Sequence, residues 1–226
     1  HNSINTYYAK ERRIMETENI INSVEISGNI ASECVFSHEI YGEGFYTFML
    51  EARRLSGSED SIKVTVSERI LDKDKTSIGS FVYIKGQLRS YNSYVNGASR
   101  LIITVFAKEI EYDRFDEKND VFLDGFICKK PVYRVTPLGR EIADMLLAVN
   151  RAYNKSDYIP CIAWGRNARF AENMELGENI KVGGRIQSRT YKKHTENGDI
   201  ERTAYEVSIG RMEKGERQRK EKNTPK

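Results

Sequence analysis

The chain has 226 residues, with 36 basic and 33 acidic side chains and a formal net charge of +3. Its 39% hydrophobic and 31% charged residues are the mix of a folded globular protein, long enough for one large domain or two small ones. The longest apolar runs, such as Leu101 to Ala107, fall far short of the roughly 20 residues of a membrane span, and Lys10, Arg12 and Arg13 do not lead into the apolar stretch of a secretory signal, so no membrane partner is expected.

Residues 1–20 read as a polar N-terminal extension. Strands are then expected at Ile26 to Ile30, where a glycine marks a bend or bulge, at Phe45 to Leu50, at Ile62 to Val66 with clean alternation, and at Val82 to Ile84. Asn96-Gly97 is a hairpin signal between two further strands, and Leu71 to Ser77 reads as a loop or a single turn. After a short polar link at Phe115 to Asp120, strands are expected at Leu123 to Ile127, Ile142 to Val149, Ile159 to Trp164 and Ile180 to Val182, although Glu141 to Leu147 alone would also suit a helix. Asn167 to Met174 has helical spacing and is closed by Gly177, and Asn197-Gly198 repeats the hairpin signal. Residues 214–226 read as a basic, disordered tail.

The two strand series are one unit written twice. Shifted by 97 positions, Val24 falls on Val121, Gly28 on Gly125, Leu50 on Leu147, Arg54 on Arg151 and Asp60 on Asp157. Ten identities occur over residues 24–69, where ordinary composition gives about three. Beyond that the offset drifts by a residue or more, so that Gly79 falls on Gly177 and Gly86 on Gly184, as unequal loops would cause. The period is too long for a solenoid, so two tandem domains are expected, at residues 21–115 and 119–213. Five short strands with one helix after the third is the order of an OB-fold barrel, which makes the fold class all-β: two tandem five-stranded OB-fold barrels, the second with a helix between strands three and four.

Charge is unevenly shared. Residues 1–118 carry 15 basic and 18 acidic side chains, and residues 119–226 carry 21 and 15, which permits a polyanionic partner without requiring one. The three cysteines, Cys34, Cys128 and Cys161, stand far apart in strand-like segments; this fits a reducing cytosol and neither a disulfide framework nor a cysteine zinc site. No phosphate loop, nucleophile elbow or zinc-protease motif is present, and the carboxylates are scattered, so no catalytic residue, metal or cofactor is expected and the chain reads as a binder.

The second unit interleaves aromatic and basic residues on its strands. Tyr153 follows Arg151, Tyr158 and Trp164 bracket the third strand, and Tyr191 follows Arg189. Flat rings stack on bases while neighbouring cations neutralise phosphates, which suits single-stranded nucleic acid. The same rings would also serve simply to fill or cover a barrel, since aromatics are common in strands. In the first unit Arg89, Tyr91, Tyr94 and Arg100 form a comparable strip on the fourth and fifth strands, whereas Ser56, Ser61 and Ser67 stand where the second unit has Tyr153, Tyr158 and Trp164.

Several runs of the second unit carry a family likeness. Asp124-Gly-Phe-Ile, Pro131-Val-Tyr-Arg-Val-Thr-Pro-Leu-Gly139, Leu147-Ala-Val-Asn-Arg-Ala-Tyr153, Tyr158-Ile-Pro-Cys-Ile-Ala-Trp-Gly-Arg166, Ala168-Arg-Phe-Ala171, Gly184-Arg-Ile-Gln-Ser-Arg-Thr-Tyr191 and Tyr205-Glu-Val follow one another in order. Residues 121–212 thereby resemble the bacterial single-stranded DNA-binding proteins. The resemblance implies an OB barrel that binds single-stranded DNA in replication, recombination or repair, with DNA across Tyr153, Tyr158, Trp164 and Tyr191. Arg151, Arg166, Arg185, Arg189 and Lys192 are the expected phosphate partners. It also implies a cytoplasmic, nucleoid-associated protein whose assembly has four barrels, here reached by a homodimer of two-barrel chains. Members of that family usually end in an acidic, apolar-tipped peptide that recruits replication enzymes. This sequence ends in a basic run from Arg217 to Lys226, so recruitment of that kind is not expected. An alternative reading is a primosome-type or RNA-directed OB protein acting mainly in protein assembly.

Overall fold

The computed structural model describes residues 20–95, 98–195 and 198–215. The expected N-terminal extension therefore lies outside the described residues but for its last position. So do residues 216–226 of the tail, the whole Asn96-Gly97 signal and Asn197 of the Asn197-Gly198 signal. The described residues form eleven strands in one hydrogen-bonded sheet and a single helix.

The first unit contains β1 (Asn22–Ile30), β2 (Val35–Ile40), β3 (Glu43–Arg53), β4 (Glu59–Ser67), β5 (Phe81–Val95) and β6 (Ala98–Glu111). β1 pairs with β3 and β5, β5 with β6, β6 with β4 in parallel, and β4 with β3, so the ladder returns to its starting strand. The second unit contains β7 (Asn119–Val135), β8 (Glu141–Arg151), β9 (Lys155–Trp164), α1 (Arg166–Glu172), β10 (Asn179–Thr195) and β11 (Gly198–Lys214). Its ladder closes in the same order, with β9 and β11 as the parallel pair. The alternation read from the sequence is the reason: Ile62, Val64 and Val66 on β4, and Leu147 and Val149 on β8, are fully buried, with Ser61 and Lys63, and Leu146 and Ala148, less buried between them.

Several expectations are corrected. The first unit has six strands rather than five, because the chain breaks at residues 31–34 and resumes as β2, whereas β7 runs through the equivalent stretch with two register shifts. The strands are also longer than expected, with β7, β10 and β11 at 17 residues each. Residues 141–147, whose pattern also suits a helix, are strand throughout. In the second hairpin Gly198 already pairs with Thr195, so it stands in the strand rather than in the turn.

Glycine allows the sharpest bends. A Cβ on Gly28 would strike the carbonyl oxygen of Glu51, and one on Gly86 or on its counterpart Gly184 would strike that of Phe106 or Ser208. The ladders shift register at both of these last two sites, which is a bulge that bends the strand. The helix buries Ala168 and Ala171, with Met174 just beyond its end. The equivalent stretch of the first unit, residues 68–79, is turns and irregular backbone, with Leu71 tucked inward.

The two units are joined by β1 and β7, which pair antiparallel from Asn22↔Leu123 to Ile26↔Asn119. The connecting segment lies against the first unit. Ser27 Oγ donates to the carbonyl of Asp116 (2.9 Å), Lys118 N donates to Ser27 Oγ (2.7 Å), and the Arg114 guanidinium sits 3.5 Å from the centre of the Tyr83 ring.

Candidate nucleic-acid interface

The aromatic residues singled out in the second unit all reach the surface. Tyr153 stands in the β8–β9 turn with a positive φ of 60° and is 93% exposed. Tyr158 and Trp164 stand at either end of the outer face of β9, and Tyr191 stands on β10. They are about 40–47% exposed, with Trp164 slightly lower at 38%. The indole Nε1 of Trp164 donates to Ser208 Oγ (3.1 Å), which fixes the ring while leaving part of it open to solvent. Arg189 lies 5.9 Å from the Tyr191 ring centre and 3.8 Å from Glu206. Arg166 heads α1, is exposed, and has no ion-pair partner among the described residues. Lys192 is in register with Glu201, and its side chain lies outside the described part.

In the first unit, Tyr91 and Tyr94 on β5 are exposed, as is Arg100 on β6, where it is in register with Ser93. Lys63 Nζ donates to the hydroxyl of Tyr91 (3.1 Å), a flanking cation that sequence reading did not single out.

Arg89, Arg151 and Arg185 are held by two wholly buried carboxylates. Asp157, wholly buried, accepts from Arg89 Nη1 (3.1 Å) and from the backbone N of Ser90 (2.7 Å), and Arg151 approaches it at 3.5 Å. Asp60, equally buried, binds Arg54 through both nitrogens and accepts from the backbone N of Ser188 (2.7 Å), with Arg185 at 3.4 Å. Burial pulls the Arg89 guanidinium below its ordinary pKa despite Asp157, and burial together with nearby Arg54 does the same to Arg185. Both remain charged at neutral pH, since arginine starts so high. Nothing in the spacing of Asp60 and Asp157 marked them for this role. Their position in the repeat was the available signal.

Sequence reading also missed two cations beside the junction. A cleft of about 1020 Å³ opens between the units, with Arg53, Arg54, Arg185 and Arg211 on its walls together with Glu25 and Asp120. Arg53 and Arg211 have no ion-pair partner among the described residues. Guanidiniums without a carboxylate partner are available to neutralise phosphates.

Comparison with known proteins bears on the second unit most directly. Residues 118–214 match the model of the single-strand binding protein family. Single-stranded DNA-binding protein 2 of Listeria innocua is 38% identical over 81 residues, covering 33% of this chain and 51% of that protein. Single-stranded DNA-binding protein A of Bacillus subtilis is 37% identical over the same length, covering 33% of this chain and 47% of its own. The chain thus spans about half the length of the curated relatives it matches. The crystal structure of the wild-type single-stranded DNA binding protein from Thermus aquaticus superposes with a TM-score of 0.69, at 21% identity, over 87% of this chain and 94% of that one. That likeness spans both units and concerns the fold. The sequence match and the exposed rings fall on the same residues: the segment 118–214 that matches the single-strand binding protein family model holds Tyr153, Tyr158, Trp164 and Tyr191.

Proposed function

We propose that this chain binds single-stranded DNA with little sequence preference and without catalysis, and serves replication, recombination or repair in the cytoplasm, at the nucleoid. The observation that carries this reading is the set of solvent-open rings Tyr153, Tyr158, Trp164 and Tyr191 within residues 118–214, the segment that matches the family. Stacking on such rings tolerates any base. Arg166 and Arg189 supply cations on the same unit, and Arg89, Arg151 and Arg185 act mainly within the junction.

The two closed pairing circuits are read as two OB barrels, over residues 21–115 and 119–213. The first has serines at three of the second's ring positions, so it acts as a scaffold that adds Tyr91, Tyr94 and Arg100 to the binding surface. Two chains form a homodimer with four barrels. β2, which among the described residues has β3 as its one ladder neighbour and exposes Val35, Phe36 and Ile40, supports a further contact. Light scattering at micromolar concentration is expected to give twice 26.0 kDa, and a clean monomer would contradict the four-barrel assembly. Binding itself is tested by the anisotropy of labelled oligo-dT against duplex and RNA of equal length. Preference for oligo-dT supports the reading, and equal or stronger binding of duplex overturns it.

A further inference from the structure

The junction between the units is built twice, once around each buried aspartate, and the two copies present different groups to solvent. At the first copy, Asp157 holds Arg89 and the backbone of Ser90, and Tyr158 N donates to Ser90 Oγ (2.7 Å). At the second copy, Asp60 holds Arg185 and the backbone of Ser188, and Ser61 N donates to Ser188 Oγ (3.0 Å). The aspartate-to-serine-backbone bond and the bond to that serine's Oγ recur in both copies, while the arginines differ: Arg54 binds Asp60 and the Ser188 carbonyl directly, where Arg151 only approaches Asp157 at 3.5 Å.

The surroundings differ as well. Asp157 is followed directly by Tyr158, its partner Arg151 lies two residues before Tyr153, and its partner Arg89 lies two residues before Tyr91. These three rings are 47%, 93% and 44% exposed. At Asp60 the corresponding positions are Ser61, Ser56 and Arg189. The Asp60 copy closes through its carboxylate, its arginines and Ser188 without any ring, so a ring is not a requirement of this contact. Three large rings kept in water on one side of a duplicated junction point to a ligand with flat apolar faces.

We infer that the Asp157 junction is a composite stacking step, where one single strand passes from the second unit to the first across Tyr158 and Tyr91, while the Asp60 junction stacks no base. The inference rests on the proposed single-stranded DNA binding. It adds that the first unit contributes a ring to the same strand. Lys63, bonded to the Tyr91 hydroxyl, supplies a cation on the first-unit side of the step. Asp157 is a positioning residue: it is buried, touches no nucleotide, and sets both rings through Ser90.

The test uses the full chain and a fluorescent oligo-dT of about 16 nucleotides, near the upper site size of one OB barrel. Tyr91→Ala and Tyr158→Ala are each expected to weaken binding by roughly 5- to 150-fold, the span of one lost base stack. Tyr91→Phe, which keeps the ring, is expected to stay within about twofold of the parent. Circular dichroism confirms folding, which the exposure of both side chains favours. Parent-like affinity of Tyr91→Ala alongside weakened Tyr158→Ala overturns the composite step and leaves binding by the second unit standing. Equal weakening by Tyr91→Ala and Tyr91→Phe also overturns it, because the ring would then not be what matters. If the parent chain itself fails to bind oligo-dT, the broader reading falls and the composite step with it.

Discussion

Val24 and Val121 face each other across the β1–β7 ladder, and they are the same position of the internal repeat. An antiparallel ladder centred on equivalent residues is related to itself by a local two-fold axis. The surrounding bonds follow that symmetry. Asn22 bridges both backbone groups of Leu88 (2.8 and 2.9 Å), and its counterpart Asn119 bridges those of Ile186 (2.9 and 3.0 Å). One chain thus contains the isologous contact that two identical domains would make, with its halves now free to diverge.

The buried carboxylates predict a large stability effect. Asp157→Ala leaves Arg89 and Arg151 without their counter-charge. Breaking a buried pair costs about 3–5 kcal/mol, reduced here because the arginines are 21% and 35% exposed. Urea unfolding is expected to show a loss of roughly 2–4 kcal/mol by that reasoning. A change within experimental error would mean that water reaches the pair freely.

Continuous β1–β7 pairing and the two aspartate contacts predict that the units unfold together. Trp164 reports on the second unit alone, being the single tryptophan, and far-ultraviolet dichroism reports on both. The two probes are expected to give coincident transitions. A fluorescence transition separated from the dichroism transition would show independent domains.

Alkaline stability follows from Tyr83. Burial first, and the adjacent Glu25 carboxylate second, raise its phenol above the ordinary value. The folded state therefore holds this proton more tightly than the unfolded chain does. Its contribution to stability is complete below the unfolded pKa of about 10 and is lost as pH rises beyond it. Tyr83→Phe is expected to reduce the fall in stability above pH ~10 by about 1.4 kcal/mol per pH unit, measured by urea unfolding across that range. An unchanged slope would place the phenol in contact with solvent.

Phosphate neutralisation predicts salt dependence. On a single strand each contact contributes about −0.7 to the slope of log affinity against log salt. Arg166→Ala is expected to flatten the slope by about one contact, whereas Arg89→Ala changes it little because that guanidinium is held by Asp157. The reverse ordering would show that the junction opens to DNA.

The duplication was legible because it repeats glycines, valines and an aspartate at fixed positions, and the exposed rings were legible because Tyr158 and Trp164 flank an alternating strand. The roles of Arg89, Arg151 and Arg185 were not. A cation beside a ring reads as a phosphate partner until its counter-charge is located, and Asp60 and Asp157 reach these arginines partly across the junction, through contacts of long sequence separation. The break that makes β2 separate was equally hidden, since residues 31–34 carry neither proline nor glycine. Exposure of a ring, unlike its presence, depends on what packs beside it.

The most direct test of the account is titration of the intrinsic fluorescence of Trp164 with oligo-dT in low salt, repeated with the Tyr191→Ala variant. The indole is partly open and fixed by Ser208, so a stacked base is expected to quench it saturably, and loss of the Tyr191 ring is expected to weaken the titration by roughly 1–3 kcal/mol. Fluorescence unchanged by saturating oligo-dT would contradict stacking at this surface.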